Sequence, residues 1–122
     1  MPTDTTILLV EDNDDLADLY RHYLADTYQV SVVQTGREAI NQASPTFDLL
    51  IIDYKLPDLS GYEVRNRLRT NGLTMPVVMI SGTDPGLISH DDAPAAWLTK
   101  PFYKEKLEQT VQSVLSTTES NP

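Results

Sequence analysis

The sequence predicts an α/β fold in which a parallel five-stranded sheet is covered by helices on both faces. Strand-like and helix-like segments alternate along the 122 residues, and regular β–α alternation implies right-handed crossovers and a parallel sheet. The apolar run at residues 49–52 has no polar interruption, which is typical of a strand buried on both faces. Five such units give a doubly wound, three-layer sandwich with strand order 2-1-3-4-5 and a ligand crevice between strands 1 and 3.

The strands are predicted from short apolar or β-branched runs that turn residues separate. They lie at residues 6–10, 29–33, 49–52, 76–80 and 95–98. Together with the helices between them, they form a flavodoxin-like (βα)5 sandwich. We assign residues 1–122 to a single domain, with a core from about 5 to 116 and a polar tail from 117 to 122.

The helices are predicted from apolar residues that recur on one face and from capping residues at their N-termini. The apolar face of the first helix consists of Leu16, Leu19, Tyr20, Tyr23 and Leu24. That of the last helix consists of Leu107, Val111, Val114 and Leu115. A hydroxyl residue followed three positions later by a glutamate predicts a capping box for the second helix (Thr35, Glu38) and the third (Ser60, Glu63). Asp84, followed by a proline, is the predicted N-cap of a fourth helix.

Composition excludes several classes of protein. A chain of 122 residues is long enough for one domain and too short for two. No run approaches the roughly 20 apolar residues that span a bilayer, and the N-terminus has no apolar signal core, so we expect a cytoplasmic protein. The absence of cysteine excludes disulfides, thiolate metal sites and thiol nucleophiles. A net charge of −9 argues against direct binding to nucleic acid or to anionic membranes.

Acidic residues follow two strands that lie next to each other in the predicted sheet. Strand 1 leads into Glu11 and Asp12, and strand 3 leads into Asp53. At about 4 Å and an effective dielectric constant of about 20, each pair of like charges costs roughly 4 kcal/mol. We therefore expect a cation between them, and carboxylate oxygens suit a hard ion such as Mg²⁺.

Strands 4 and 5 bring a hydroxyl and an ammonium to the same edge. Ser81 follows strand 4 and Lys100 follows strand 5. Both side chains can hold oxygens of a phosphoryl group, and with a metal ion they would neutralise the charge that develops during phosphoryl transfer. Asp53, at the centre, is then the candidate nucleophile that becomes an aspartyl phosphate.

Five motifs, in this order and at suitable spacing, resemble those of response-regulator receiver domains, the chemotaxis-regulator-like proteins of two-component signalling. They are LLVED at 8–12, DLLIID at 48–53, LP at 56–57 with Gly61, ISG at 80–82 and KPF at 100–102. The resemblance covers the chain from residue 6 to about residue 115.

The resemblance implies a phospho-accepting receiver of a two-component phosphorelay. Asp53 resembles the phosphoacceptor, and the donor would be a sensor histidine kinase or a phosphotransfer protein. Mg²⁺ would be held by Glu11, Asp12, Asp53 and the backbone carbonyl of Lys55. Such a protein is not an enzyme in the usual sense, because it catalyses only its own phosphorylation and dephosphorylation. We expect a monomer or a weak homodimer, and the sequence leaves the downstream protein or output domain open.

The resemblance also assigns roles around the phosphoryl group. Ser81 matches the hydroxyl residue that swings toward it, and Lys100 matches the lysine that pairs with its oxygens. A cis peptide bond between Lys100 and Pro101 is implied. Trp97 occupies the position of the Tyr or Phe that rotates when the hydroxyl residue moves. Since the indole is larger than either ring, we expect it to rotate less or to stay outward.

Two alternative functions are weighed against this one. A phosphatase of the haloacid-dehalogenase type needs a second aspartate two residues after the nucleophile, and Lys55 stands there, so that class is excluded. A receiver-like protein-interaction module with an altered or absent phospho-switch remains open because of Trp97 and because the segment between Ser81 and Lys100 is a few residues shorter than is usual in the family. The Lys55 side chain is hypothesised to lean over the site and slow the attack of water on the phosphoryl group. The isolated histidines, His22 and His90, are interpreted as surface residues.

Overall fold

A parallel five-stranded sheet forms the centre of the computed structural model, which describes residues 5–82 and 94–119. Its strands are β1 (Thr6–Val10), β2 (Gln29–Val33), β3 (Leu49–Asp53), β4 (Val77–Ser81) and β5 (Ala96–Thr99). They are arranged in the order β2-β1-β3-β4-β5, and every neighbouring pair is parallel. The predicted fold class and strand order are confirmed.

Four helices belong to the described residues: α1 (Asp14–Leu24), α2 (Gly36–Gln42), α3 (Gly61–Thr70) and α4 (Lys104–Glu119). The helix predicted to begin at Asp84 lies outside those residues. Helix α4 continues to Glu119, into the segment that the sequence analysis assigns to a polar tail. Within the described ranges, no helix combines the length and the apolar character needed to cross a membrane.

Three strands end one residue later than the apolar runs predict. The sheet hydrogen bonds continue past those runs, because the Tyr54 N–H donates to the Ile80 carbonyl at 2.7 Å and the Lys100 N–H donates to the Ser81 carbonyl at 2.8 Å. Asp53 and Ser81 are therefore the last residues of β3 and β4 rather than the first residues of loops. The sheet itself fixes the backbone of both polar residues.

Side chains alternate between two apolar cores, one on each face of the sheet. Ile7 and Leu9 of β1 face the core that α1 and α4 cover, whereas Leu8 and Val10 face the core that α2 and α3 cover. The same alternation holds along β3, where all five residues are buried. Each fully buried aliphatic side chain stabilises the fold by about 1.5–3 kcal/mol. The two cores hold the carboxyl edge of the sheet in place.

Helix α1 is rotated relative to the predicted apolar face. Leu19, predicted to be buried, is 40% exposed, and Ala17 is buried in its place. Tyr20 is buried, and its ring stacks on Phe102 with 4.9 Å between the ring centroids. Ala17, Tyr20 and Leu24 are the buried residues of the helix, and Leu16 and Tyr23 pack against the same core while partly buried.

One of the two predicted capping boxes is complete. At α3, the Glu63 N–H donates to Ser60 Oγ and the Ser60 N–H donates to Glu63 Oε1, both at 3.1 Å. At α2, Thr35 Oγ1 accepts from the Glu38 N–H at 3.1 Å, but the Glu38 carboxylate accepts from the N–H of Gln34 instead of that of Thr35. At α2 the hydroxyl half of the predicted capping box is therefore formed, and the glutamate half is not.

Replacing Gly61 with alanine is expected to destabilise the fold. A Cβ at this position would lie 2.6 Å from Met79 Sδ and 2.8 Å from the carbonyl oxygen of Asp53. Because the backbone of β3 cannot move without disturbing the sheet, we expect a loss of about 1–3 kcal/mol in the free energy of unfolding. Urea denaturation measures this loss. Gly82→Ala is the control, since its Cβ would meet no atom of the described residues within 4 Å, and an equal loss in both variants would contradict the prediction.

Candidate functional site

Three carboxylates meet at the carboxyl edge of the sheet. Oxygens of Glu11, Asp12 and Asp53 lie within 4.8 Å of one another. Strands β1 and β3 are neighbours, so the residues that follow Val10 and Ile52 emerge side by side. Glu11 and Asp53 are buried, at 1% and 5% exposure, and Asp12 is exposed. The structure thus brings together the acids that the sequence placed at this edge.

Lys100 supplies a positive charge to this cluster. Its Nζ lies 2.6 Å from Oδ2 of Asp53 and 3.5 Å from Oε1 of Glu11. Burial lowers the pKa of Lys100, but the hydrogen bond and charge of Asp53, together with the charge of Glu11, outweigh burial and raise it. The ammonium therefore stays protonated beside the carboxylates. The Lys100–Pro101 peptide bond is cis.

Both oxygens of the Asp53 carboxylate have hydrogen-bond partners. Oδ2 accepts from the Lys100 ammonium at 2.6 Å, and Oδ1 accepts from the backbone N–H of Lys55 at 2.9 Å. One donor is charged and the other is neutral, so neither oxygen of this buried carboxylate is left without a partner. These two contacts also fix the direction in which the carboxylate points.

Glu11 is the least well-compensated acid of the cluster. Its Oε2 accepts from the Asn13 N–H at 3.1 Å, whereas Oε1 accepts no hydrogen bond from the part of the chain that the structure describes. Burial, assisted by the charge of Asp53, raises the pKa of Glu11 to about 7, against the lowering by the Asn13 N–H and Lys100. A buried carboxylate oxygen without a donor favours either a proton or a bound cation.

The cluster opens into a cavity of about 500 Å³. Ser81, 3% exposed, lines this cavity together with the carboxylates, Lys55 and Lys100. Asn13 and Leu16 also line it, and the sequence analysis did not assign them to the site. Asn13 could have been assigned to the site from the sequence, because it directly follows Glu11 and Asp12 and is a residue type that favours helix N-caps, as it does at α1. Leu16 could not, since it follows the apolar spacing of α1 like any core residue.

Trp97 is not among the residues that line this cavity. It is half-buried on the face of the sheet that α2 and α3 cover. Its ring lies 6.3 Å from the rings of Tyr54 and Tyr62, which are themselves 6.1 Å apart, all measured between centroids. Trp97 thus contacts the residue that follows Asp53 without contacting the cavity itself. His22 is exposed on α1, and His90 lies outside the described residues.

Comparison with protein families gives a match over most of the chain. Residues 7–112 match the family described as the response regulator receiver domain. The chain is 36% identical to the transcriptional regulatory protein CiaR of Streptococcus pneumoniae over 117 residues, which covers 89% of this chain and 50% of CiaR. It covers 19% of a putative transcriptional regulator of Haloferax volcanii, with 29% identity. The chain thus spans half or less of these curated relatives.

Solved structures give the same result. The signal receiver domain of a putative Luxo repressor protein from Vibrio parahaemolyticus is similar at a TM-score of 0.83 and 32% identity, covering 94% of this chain and 92% of that one. The chemotaxis response regulator CheY4 of Vibrio cholerae is similar at a TM-score of 0.83 and 30% identity, with 92% and 99% coverage. In both cases the similarity extends over more than nine tenths of this chain.

The raised pKa of Glu11 predicts a pH-dependent stability in buffer free of divalent cations. The folded protein holds a proton on Glu11 up to a pKa of about 7, whereas the unfolded chain releases it near 4.5. Because the folded state binds more protons in that window, the free energy of unfolding should fall as the pH rises through it, by on the order of 2–3 kcal/mol. Urea denaturation at several pH values measures this change. Glu11→Gln should lack that decrease, and equal pH dependence in both proteins would refute the assignment.

Proposed function

Because the chain belongs to the response regulator receiver domain family, we propose that it is a phosphorelay receiver in which Asp53 accepts a phosphoryl group from a histidine kinase or a phosphotransfer protein. The observation that carries this proposal is the 2.6 Å contact of Lys100 Nζ with Asp53 inside a cluster of three carboxylates. An ion pair that only stabilised the fold would need one acid. The two additional carboxylates cost electrostatic energy and are explained if the cluster binds a cation.

The carboxylates of Glu11, Asp12 and Asp53, with the backbone carbonyl of Lys55, would hold Mg²⁺. Two observations support this fit: the acidic oxygens lie within 4.8 Å of one another, and Glu11 Oε1 has no hydrogen-bond donor among the described residues. Mg²⁺ prefers a few carboxylates and keeps several waters. When bound, it supplies positive charge that neutralises the oxygens of the transferred phosphoryl group.

The protein's own groups orient the reaction. The Lys55 N–H and the Lys100 ammonium hold the Asp53 carboxylate at the base of the cavity. One Asp53 oxygen forms a bond to phosphorus as the phosphorus–nitrogen bond of the phosphohistidine breaks, and the imidazole nitrogen keeps the electron pair of that bond. Lys100 then pairs with a phosphoryl oxygen, and the Ser81 hydroxyl donates to another. The protein acts in this way only on its own carboxylate.

Partner binding would change through contacts that exist only in the phosphorylated state. A modification shifts a two-state equilibrium only by the free energy with which it favours one state. The candidate contacts are those of Ser81 and Lys100 with the phosphoryl oxygens. A receiver-like interaction module without such a switch is the second candidate, and the packing of Trp97 against Tyr54 and Tyr62 favours it, because these contacts would be lost if the indole rotated.

Incubation with acetyl phosphate tests the proposed function and separates the two candidates. In the presence of Mg²⁺, the native protein should gain the mass of one phosphoryl group, because acetyl phosphate can replace the phosphohistidine donor. Asp53→Asn should gain none, and chelation of Mg²⁺ should abolish the gain in the native protein. Asp48→Asn, which removes an exposed carboxylate before β3, is the matched control and should be phosphorylated normally. Intact-protein mass spectrometry provides the measurement, and an unmodified native protein would favour the interaction module.

Lys55→Asn tests the proposed protection of the phosphoryl group. Lys55 is exposed and lines the cavity, so its removal should admit water and speed dephosphorylation roughly two- to tenfold, or about 0.4–1.4 kcal/mol in activation free energy. The loss of phosphoprotein after donor removal, followed by mass spectrometry, gives the rate. Lys104→Asn is the control, because this exposed lysine does not line the cavity. An unchanged or slower rate in Lys55→Asn would refute the hypothesis.

A further inference from the structure

The loop between β3 and α3, residues 54–60, is held to the first turn of α2 by Asp58. We propose that Asp58 is a positioning residue for the divalent-ion site, because it fixes the loop whose Lys55 carbonyl is a proposed ligand. The inference rests on the proposed function, since it concerns the same site. Asp58 does not line the cavity and has no direct role in the proposed chemistry.

Asp58 uses both carboxylate oxygens to make this connection. Oδ1 accepts from the Gly36 N–H at 2.8 Å, and Oδ2 accepts from the Arg37 N–H at 2.9 Å. These N–H groups belong to the first turn of α2, where no intrahelical acceptor is available. The guanidinium of Arg37 adds little, because its Nε is 3.9 Å away and its side chain is 80% exposed. The contact is therefore between a side chain and a helix backbone.

The charge state of Asp58 supports this contact. Burial raises the pKa of Asp58, but hydrogen bonds from the N–H groups of Arg37 and Gly36, with those from residues 58 and 59, outweigh it and hold the pKa below the ordinary value of 3.8. The carboxylate is thus ionised at neutral pH, and its hydrogen bonds to the helix backbone are charge-assisted.

Close packing accompanies the hydrogen bonds. Gly36 lies so near the loop and α3 that a Cβ on it would be 3.0 Å from Leu59 Cβ and 2.9 Å from Val64 Cγ2. A side chain at position 36 would therefore push the loop away from α2. Glycine allows the backbone of α2 to reach the Asp58 carboxylate.

The remainder of the loop is also fixed, so a constraint at Asp58 extends to Lys55. The Gly61 N–H donates to the Tyr54 carbonyl at 2.8 Å, and Lys55 pairs with Ser60 in an antiparallel bridge. The Lys55 N–H donates to Asp53 Oδ1 at 2.9 Å. These contacts close the base of the loop, and Asp58 fixes its far end. Loss of the Asp58 contact would remove the hydrogen bonds that tie the far part of the loop to α2 and leave that part held by the packing of Leu56 and Leu59.

The contact between Asp58 and α2 also links the two sides of the proposed ion site, Glu11 after β1 and Lys55 after β3. The Glu11 N–H donates to the Val33 carbonyl at 3.1 Å, and Val33 is the last residue of β2 before the turn that leads to α2. Glu11 is thus tied to the end of β2, and Asp58 ties the loop to the beginning of α2. Glu11 and the Lys55 carbonyl are therefore connected in two ways: through the strands of the sheet, and through the end of β2, the start of α2 and Asp58.

Divalent-cation affinity distinguishes a positioning role from a purely structural one. Mn²⁺ is the probe, because free Mn²⁺ is quantified by electron paramagnetic resonance without any phosphoryl transfer. Asp58→Ala should weaken Mn²⁺ binding roughly 3- to 30-fold, as expected when a group that orients a metal ligand is removed. Asp58→Asn keeps one acceptor oxygen and should give a smaller loss.

Asp48→Ala provides the matched control. Asp48 is likewise an exposed carboxylate that accepts a backbone N–H, that of Thr6 at 2.9 Å, but it precedes β3 and so lies at the opposite edge of the sheet. Its removal changes the net charge by the same amount and should leave Mn²⁺ affinity within about twofold of the native value. Thermal melting establishes that each variant is folded at the temperature of the titration. If Asp58→Ala is unfolded there, Asp58→Asn carries the comparison.

The outcomes separate this inference from the proposed function. Suppose that the native protein binds Mn²⁺ and is phosphorylated. Equal Mn²⁺ affinity in the Asp58 and Asp48 variants would then overturn the inference and leave the proposed function intact. A native protein that binds Mn²⁺ but is never phosphorylated would overturn the proposed function, while a weaker affinity in Asp58→Ala would still support the positioning role. A native protein that binds no Mn²⁺ would overturn both.

Discussion

The contact between the Lys100 ammonium and the Asp53 carboxylate is the interaction on which the carboxyl edge of the sheet depends. Three carboxylates with oxygens within 4.8 Å of one another repel by several kcal/mol, and two of them are buried. Burial, with a smaller contribution from the charge of Asp53, raises the pKa of Glu11 to about 7, although Lys100 and the Asn13 N–H lower it. At neutral pH a proton therefore competes for Glu11 with the cation that we propose to bind at this edge.

Backbone geometry determines where that ammonium lies. The Lys100 N–H bonds to the Ser81 carbonyl, so the pairing of β4 with β5 sets the position from which the side chain reaches Asp53. The strand order places β1 beside β3, which brings Glu11 to the same carboxylate from the other side. The site is thus a consequence of sheet register, and the Asp58 contact adds a second constraint outside the sheet.

Much of this arrangement could be predicted from the sequence, because apolar runs determine strands and the residues that end them share one edge. Contacts that depend on how a helix is oriented against the sheet could not be predicted in this way. Leu19 follows the apolar spacing of α1 and is still 40% exposed, whereas Ala17 is buried, because the spacing alone does not fix which edge of the apolar face meets the core. Asp58 looks like an ordinary turn residue, because its partners are 21 and 22 positions away in the chain. The incomplete capping box at Thr35 is a similar case, since two neighbouring N–H groups compete for one glutamate.

The packing of the indole has a practical consequence. Trp97 is the one tryptophan of the chain, and its ring lies 6.3 Å from that of Tyr54, the neighbour of Asp53 in sequence. Emission from this single fluorophore therefore originates from one defined environment, and energy absorbed by the adjacent phenol rings can reach it over a very short path. The single tryptophan is thus an intrinsic fluorescent probe, so a rearrangement beside Asp53 can be followed in real time without an added label.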